Sequence, residues 1–267
     1  MNRNCPLCGM DNTSNPMMRI SLKPWTLKVC GGCHLVYLEN APDYSALRTE
    51  WSWEKTCRAE RKRRVAAEPV LQWLSRQIRF LRQRIFRRDK LTPLVRRYFA
   101  PGAVLDVGCG KGAALARLGR LGFKPYGVEV SDALAGEGSS QAAAFGGRVV
   151  AGNAMQGLDE FPDGTFSGAI LISFLEHESN PLPLLTKLRR KLIPGGKIII
   201  KVPNFGSWNR AVRGARWCGL RFPDHVNYFT PATLREFIRR AGFRIMRFSL
   251  RDRFPLSDNM WVVCQSA

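Results

Sequence analysis

Acidic residues are scarce in this chain. Only 21 Asp and Glu stand against 42 Lys and Arg, a formal net charge of +21 at pH 7. Such an imbalance attracts phosphates, nucleic acid or anionic lipid head groups and dictates nothing about fold. Histidine is scarcer: His34, His177 and His225 are the only three imidazoles in 267 residues, so a side chain that titrates near neutrality has three candidate positions. No apolar run approaches the ~20 residues a membrane-spanning helix needs. The opening MNRNCPLCG has no apolar leader segment, and a cytoplasmic location is the expectation. Hydrophobic residues nevertheless make up 45% of the chain, enough for a full core with room for a small appendage.

Of eight cysteines, four form two C-x-x-C pairs, Cys5-Pro6-Leu7-Cys8 and Cys30-Gly31-Gly32-Cys33. In a cytoplasmic chain that pattern points to metal rather than disulfides. Four thiolates suit a closed tetrahedral structural zinc site without catalysis at the metal. The 21 intervening residues accommodate a hairpin. Leu27-Lys28-Val29 and Leu35-Val36-Tyr37-Leu38 read as its strands, and His34 as a surface residue rather than a substitute ligand. Residues 1–43 are therefore expected to form a zinc-ribbon module that depends on its metal for stability. A redox role for C-x-x-C lacks a thioredoxin-like context.

Residues 44–100 form a basic connector. Between 44 and 99 there are 16 Lys and Arg against 5 Asp and Glu. Leu71, Leu74, Ile78, Leu81 and Ile85 recur at helical spacing and make one apolar stripe. Two readings fit: a helix packed on the following domain with a solvated basic face, or a basic amphipathic helix on anionic membrane or a phosphate-rich substrate. The run Arg61-Lys62-Arg63-Arg64 is weak evidence for nucleic acid. Pro93 suits the start of the last helix before the next domain.

The stretch AVLDVGCGKG, residues 103–112, organises the remainder. A short apolar strand ends in a glycine turn, and a helical run follows. Glycines let the backbone turn tightly beside a ligand, and free N–H groups at the helix start favour a negative group. The spacing is G-x-G-x-G, not the G-x-G-x-x-G dinucleotide fingerprint. Asp106-Val107-Gly108-Cys109-Gly110-x-Gly112 resembles the first motif of class I S-adenosylmethionine (SAM)-dependent methyltransferases. Further likenesses follow in order: Tyr126-Gly127-Val128-Glu129, Asn153-Ala154, Leu175-Glu176-His177, Pro194-Gly195-Gly196 before a strand, and His225-x-Asn227-Tyr228-Phe229-Thr230-Pro231. The last resembles type-23 methyltransferases, and many bacterial methyltransferases of the type-23 and type-11 groups carry a ribbon like that of residues 5–42.

The resemblance implies a Rossmann-like α/β domain over 101–267, a seven-stranded sheet with helices on both faces. It implies SAM contacts from Asp106, Gly108, Cys109, Gly110 and Gly112. It also implies that Glu129 holds the ribose hydroxyls, that Asn153 and Ala154 lie at the adenine, and that Ser173 and Glu176 are further SAM contacts, Glu176 within the Leu-Glu-His element beside the methyl-transfer centre. A carboxylate suits the ribose because it accepts two hydrogen bonds at once. Transfer to a hydroxyl or an acidic C–H also needs a base, for which His177 and His225 are the candidates, with Asp224 and Tyr228 as helpers.

The acceptor expected is a small molecule, sugar, glycan or lipid-linked intermediate, with phosphorylated carriers accounting for the arginines. From 205 to 254 the chain has 11 basic residues against 3 acidic. The alternative is an RNA methyltransferase that grips RNA through ribbon and basic segments. The second knuckle lacks interleaved aromatics for base stacking, and no base-amine motif is present. A non-enzymatic zinc-ribbon adaptor is the third reading.

Overall fold

The computed structural model describes residues 2–43 and 89–267. The apolar stripe from Leu71 to Ile85 and the run Arg61-Lys62-Arg63-Arg64 lie outside them.

The N-terminal strands are β1 (Leu27–Val29) and β2 (Val36–Leu38). Helix α1 (Leu91–Tyr98) leads into β3 (Ala103–Val107), α2 (Ala113–Arg120), β4 (Lys124–Glu129), α3 (Asp132–Ala143) and β5 (Arg148–Ala151). A short α4 (Ala154–Gly157) precedes β6 (Phe166–Ile172), α5 (Pro181–Lys191) and β7 (Leu192–Pro203). The chain closes with α6 (Trp208–Arg213), β8 (Asn227–Tyr228), α7 (Pro231–Arg240), β9 (Phe243–Arg247) and β10 (Asn259–Ser266). Asp89 accepts hydrogen bonds from the N–H groups of Leu91 and Thr92, which starts α1 two residues ahead of Pro93.

The large sheet has seven strands in the order β5-β4-β3-β6-β7-β10-β9, the expected Rossmann-like arrangement. Strand β10 runs antiparallel to both neighbours. Pleating sends alternate residues to opposite faces. Val104, Ile170, Ile199 and Val263 pack with Leu91, Leu94 and Val95 of α1. Leu105, Leu171, Ile198 and Ile200 pack with Leu184, Leu188 and Phe237 of α5 and α7. Each such side chain contributes about 1.5–3 kcal/mol on full burial, so the sheet is held from both sides. The chain winds outward through β3, β4 and β5, then returns to β6 on the other side of β3. That reversal opens a crevice at the carboxyl ends of the strands.

Pro194-Gly195-Gly196 does not end before β7, as its composition suggests, but lies within it. Pairing with β6 steps from Phe166↔Leu192 to Gly168↔Lys197. Three extra residues therefore bulge from β7, and Gly195 takes a positive φ of 72° to allow it.

A second sheet, in the order β1-β2-β8, joins the N-terminal hairpin to Asn227–Tyr228. Val36 pairs with Tyr228 and Tyr37 with Asn227. No helix among the described residues is long and apolar enough to cross a membrane.

Candidate active site

A cavity of about 490 Å³ opens at the carboxyl ends of β3, β4 and β6, within the ~300–1,000 Å³ usual for small-molecule sites. Its floor is the glycine loop. Gly108, Gly110 and Gly112 all have positive φ, at 76°, 51° and 79°. A Cβ on Gly108 would sit 2.4 Å from the Phe174 ring, so this glycine lets Phe174 close over the loop. Gly110 and Gly152 also line the cavity, and a Cβ on either would meet nothing within 4 Å. Glycine there keeps open a trough in which a ligand can lie against bare backbone.

Glu129, at the end of β4, braces this loop. Its Oε2 accepts from Gly110 N at 2.8 Å and its Oε1 from Ser131 N at 3.0 Å. Each oxygen keeps a lone pair for a ligand hydroxyl. Asp106 lies on β3 below the floor, 3% exposed. Burial, then the charge of Glu129, pushes its carboxyl up to about 7.

Of the sequence-predicted residues, Gly108, Cys109, Gly110, Glu129, Ala154, Ser173, His177 and Asp224 line the cavity. Asp106, Gly112, Asn153, Glu176 and His225 lie outside its wall. The Asn153 side chain is engaged locally, where its Oδ1 caps α4 by accepting from Gln156 N at 2.8 Å. Sequence reading did not single out Gly152, Leu134 or Phe174 for the wall. Gly152, at φ 148° after β5, had a legible signal in the strand-end glycine. Leu134 and Phe174 reach the wall through packing alone.

The other rim is made by two loops bound face to face. Glu176 O accepts from Val226 N at 2.7 Å and Asn227 N at 3.1 Å. Asn227 Nδ2 donates to Leu175 O at 3.1 Å. His177 Nδ1 lies 2.8 Å from Asp224 O and 3.6 Å from Asp224 Oδ1, and the His177 side chain stays 23% exposed. A carbonyl oxygen can only accept, so His177 carries a proton on Nδ1 and a neutral ring has its lone pair at Nε2. Burial alone would lower the His177 pKa, but Asp224 and Glu176 outweigh it and raise it. His225, edge-on to His177 at 4.7 Å between ring centres, sits 4% exposed. Burial and the nearby positive charge of His177 and Arg221 drive its pKa well down. Lys201 Nζ donates to Ser173 Oγ at 2.9 Å, holding the end of β6.

Away from the cavity, the four cysteines of the N-terminal hairpin converge. Their sulfurs all lie within 4.8 Å of one another; Cys5 Sγ–Cys33 Sγ and Cys8 Sγ–Cys30 Sγ are each 3.4 Å. A tetrahedral zinc site with bonds near 2.3 Å has sulfurs about 3.8 Å apart, so the donor set and its spacing fit zinc. His34 lies outside the cluster.

Residues 77–247 match the methyltransferase-domain family Methyltransf_23. A ubiquinone biosynthesis O-methyltransferase of Burkholderia thailandensis is 25% identical over 179 residues, covering 61% of this chain and 77% of that protein. The Cereibacter sphaeroides counterpart is 30% identical over 169 residues, covering 59% and 65%. Among solved structures, a SAM-dependent methyltransferase from Archaeoglobus fulgidus aligns at a TM-score of 0.51 with 22% identity, covering 70% of this chain and 99% of that one. The [4+2]-cyclase SpnF aligns at 0.52 with 20% identity, covering 67% and 81%, which speaks to fold alone. With the glycine trough, the strand-end carboxylate and the family match together, the chain belongs to the methyltransferase-domain family Methyltransf_23 and is a SAM-dependent methyltransferase.

Proposed function

We propose that the protein methylates a hydroxyl of a small-molecule acceptor. The observation that carries this reading is His177: its ring is on the cavity wall with Nδ1–H held by the Asp224 carbonyl. A hydroxyl acceptor must lose a proton, and a positioned imidazole takes it at Nε2. The ubiquinone biosynthesis O-methyltransferases among the relatives support an oxygen acceptor on a small molecule. The excess of basic residues, with 11 against 3 acidic in 205–254, supports an anionic or phosphorylated one, including sugar and lipid-linked carriers.

When bound, SAM supplies a sulfonium methyl whose leaving group is neutral. Around it, Gly108 and Gly110 offer bare backbone, Glu129 offers carboxylate lone pairs to ribose hydroxyls, and Ala154 a small apolar surface. The Asp224 carboxylate, 3.6 Å from His177, stabilises the imidazolium that forms. Holding acceptor and donor in line accounts for much of the remaining acceleration. Cys5, Cys8, Cys30 and Cys33 hold a structural zinc in the same proposal.

Incubation of labelled SAM with cell-extract fractions, with and without His177→Ala, tests the reading. Label is expected in the small-molecule fraction. The variant should keep SAM affinity within about twofold and lose roughly 10²–10⁴ in turnover. Label confined to RNA sinks the acceptor assignment, and full turnover by the variant removes His177 as the base.

A further inference from the structure

Three ligand-type side chains meet behind the cavity wall, and the methyl-transfer reading uses only one of them. We propose that Glu176, His177 and His225 form a binding site for a divalent transition-metal cation, open toward the acceptor.

One ligand atom from each of the three residues lies within 4.8 Å of the others. Both rings have Nδ1 against a backbone carbonyl, a partner that metal-binding imidazoles commonly have. His177 Nδ1 faces Asp224 O at 2.8 Å and His225 Nδ1 faces Gly219 O at 2.8 Å. A carbonyl oxygen opposite Nδ1 fixes the proton there and presents the Nε2 lone pair, the outer-shell arrangement that orients histidine ligands. Glu176 supplies the charge. It is 1% exposed, and its Oε2 is fully buried with no hydrogen-bond partner among the described residues. A buried carboxylate oxygen without a donor is costly, and a cation is the partner that would meet it.

The frame is rigid. Val226 N and Asn227 N both donate to Glu176 O, at 2.7 and 3.1 Å, tying the loop that bears Glu176 and His177 to the one that bears His225. Lys201 and Arg221 lie close enough to favour the Glu176 carboxylate electrostatically, but neither bonds its Oε2: Lys201 Nζ donates to Ser173 Oγ at 2.9 Å and Arg221 Nη2 to Asp224 Oδ2 at 2.5 Å, while the buried Arg221 Nε has no hydrogen-bond partner among the described residues. Two nitrogens and one carboxylate suit Zn²⁺, Fe²⁺, Co²⁺ or Mn²⁺ better than Ca²⁺ or Mg²⁺, which favour all-oxygen shells. Three protein ligands leave positions open, and His177 on the cavity wall puts the open side at the acceptor.

The cation's part in turnover, though not its binding, rests on the proposed O-methylation. An acceptor hydroxyl bound at the open position is acidified and its proton passes to water. The freed oxygen then forms the O–CH₃ bond as the S–CH₃ bond breaks and sulfur keeps the electron pair. His177 acts as a ligand in the loaded protein, and as the base only without metal.

Titration of the metal-free full chain with Co²⁺ tests the site in the absence of SAM and acceptor. Thiolate-to-cobalt charge-transfer absorption reports the four cysteines. A further equivalent with only weak d–d bands reports Glu176, His177 and His225. In the isosteric Glu176→Gln and in His177→Gln, the affinity for that further equivalent should fall by more than about 100-fold. The thiolate absorption should stay. A wild-type titration that shows no non-thiolate equivalent overturns the proposal, as does one whose further equivalent survives in both variants. Because no methyl transfer is read, failure of the O-methylation reading leaves this result interpretable on its own.

Discussion

Asp106 shows what position does to a residue. Its carboxyl is buried on β3, and burial followed by the charge of Glu129 raises it to about 7. An acid whose folded pKa exceeds its unfolded value of about 3.9 binds more protons when folded. Its contribution is therefore fully present below about pH 4 and is lost as pH rises through about 7, by up to ~4 kcal/mol. In Asp106→Asn that dependence should vanish. Urea midpoints measured from pH 4 to 7 should fall less steeply for the variant than for the wild type; parallel slopes would show that Asp106 is ionised in the fold. The place of Asp106 was legible, since an acid ending an apolar strand before glycine is conspicuous. Its burial was not, because that depends on the strands either side of β3. Asn153 differs for the same reason: its identity suits adenine, yet in the structure its side chain caps α4.

At the level of elements, the large sheet was legible because buried parallel strands are written as apolar runs such as Ile198-Ile199-Ile200. Strand β8 was not. It is two residues long, and its partner β2 is about 190 residues away in sequence, so no local pattern announces it. Yet this pairing links the cysteine cluster to the rim of the cavity. Arg3 reinforces it, donating to Leu38 O at 2.8 Å and Ser179 O at 2.8 Å. It also donates to Val226 O at 2.5 Å. Metal at the four cysteines would hold β2, β2 holds β8, and β8 continues the loop of Asp224 and His225. Cys5→Ser with Cys8→Ser should therefore loosen the rim while sparing the sheet. Hydrogen exchange at Val226 N and Asn227 N should speed by at least tenfold, with Ile198, Ile199 and Ile200 unchanged. Unchanged exchange at both places would mean that the rim stands without the hairpin.

For the molecule as a whole, the excess of 42 basic over 21 acidic residues sets how it responds to salt. Two effects oppose each other. Salt weakens the exposed pairs, such as Lys111–Glu137 at 3.1 Å and Arg190–Asp163 at 2.9 Å, but such pairs are worth only about 0–1 kcal/mol each. The inner pair Lys28–Glu39, whose side chains are 6% and 7% exposed, is screened much less. Against these small losses stands the mutual repulsion of a net +21, spread over a surface where the Debye length falls from ~30 Å at 0.01 M to ~8 Å at 0.15 M. Repulsion between uncompensated charges destabilises the compact state, and it acts over many pairs at once. It should win. The urea midpoint should rise between about 10 and 300 mM NaCl; if the acceptor is phosphorylated as proposed, kcat/KM for it should fall over the same range as the attraction is screened. A midpoint that drops with salt would show that local ion pairs, and not the net charge, govern stability.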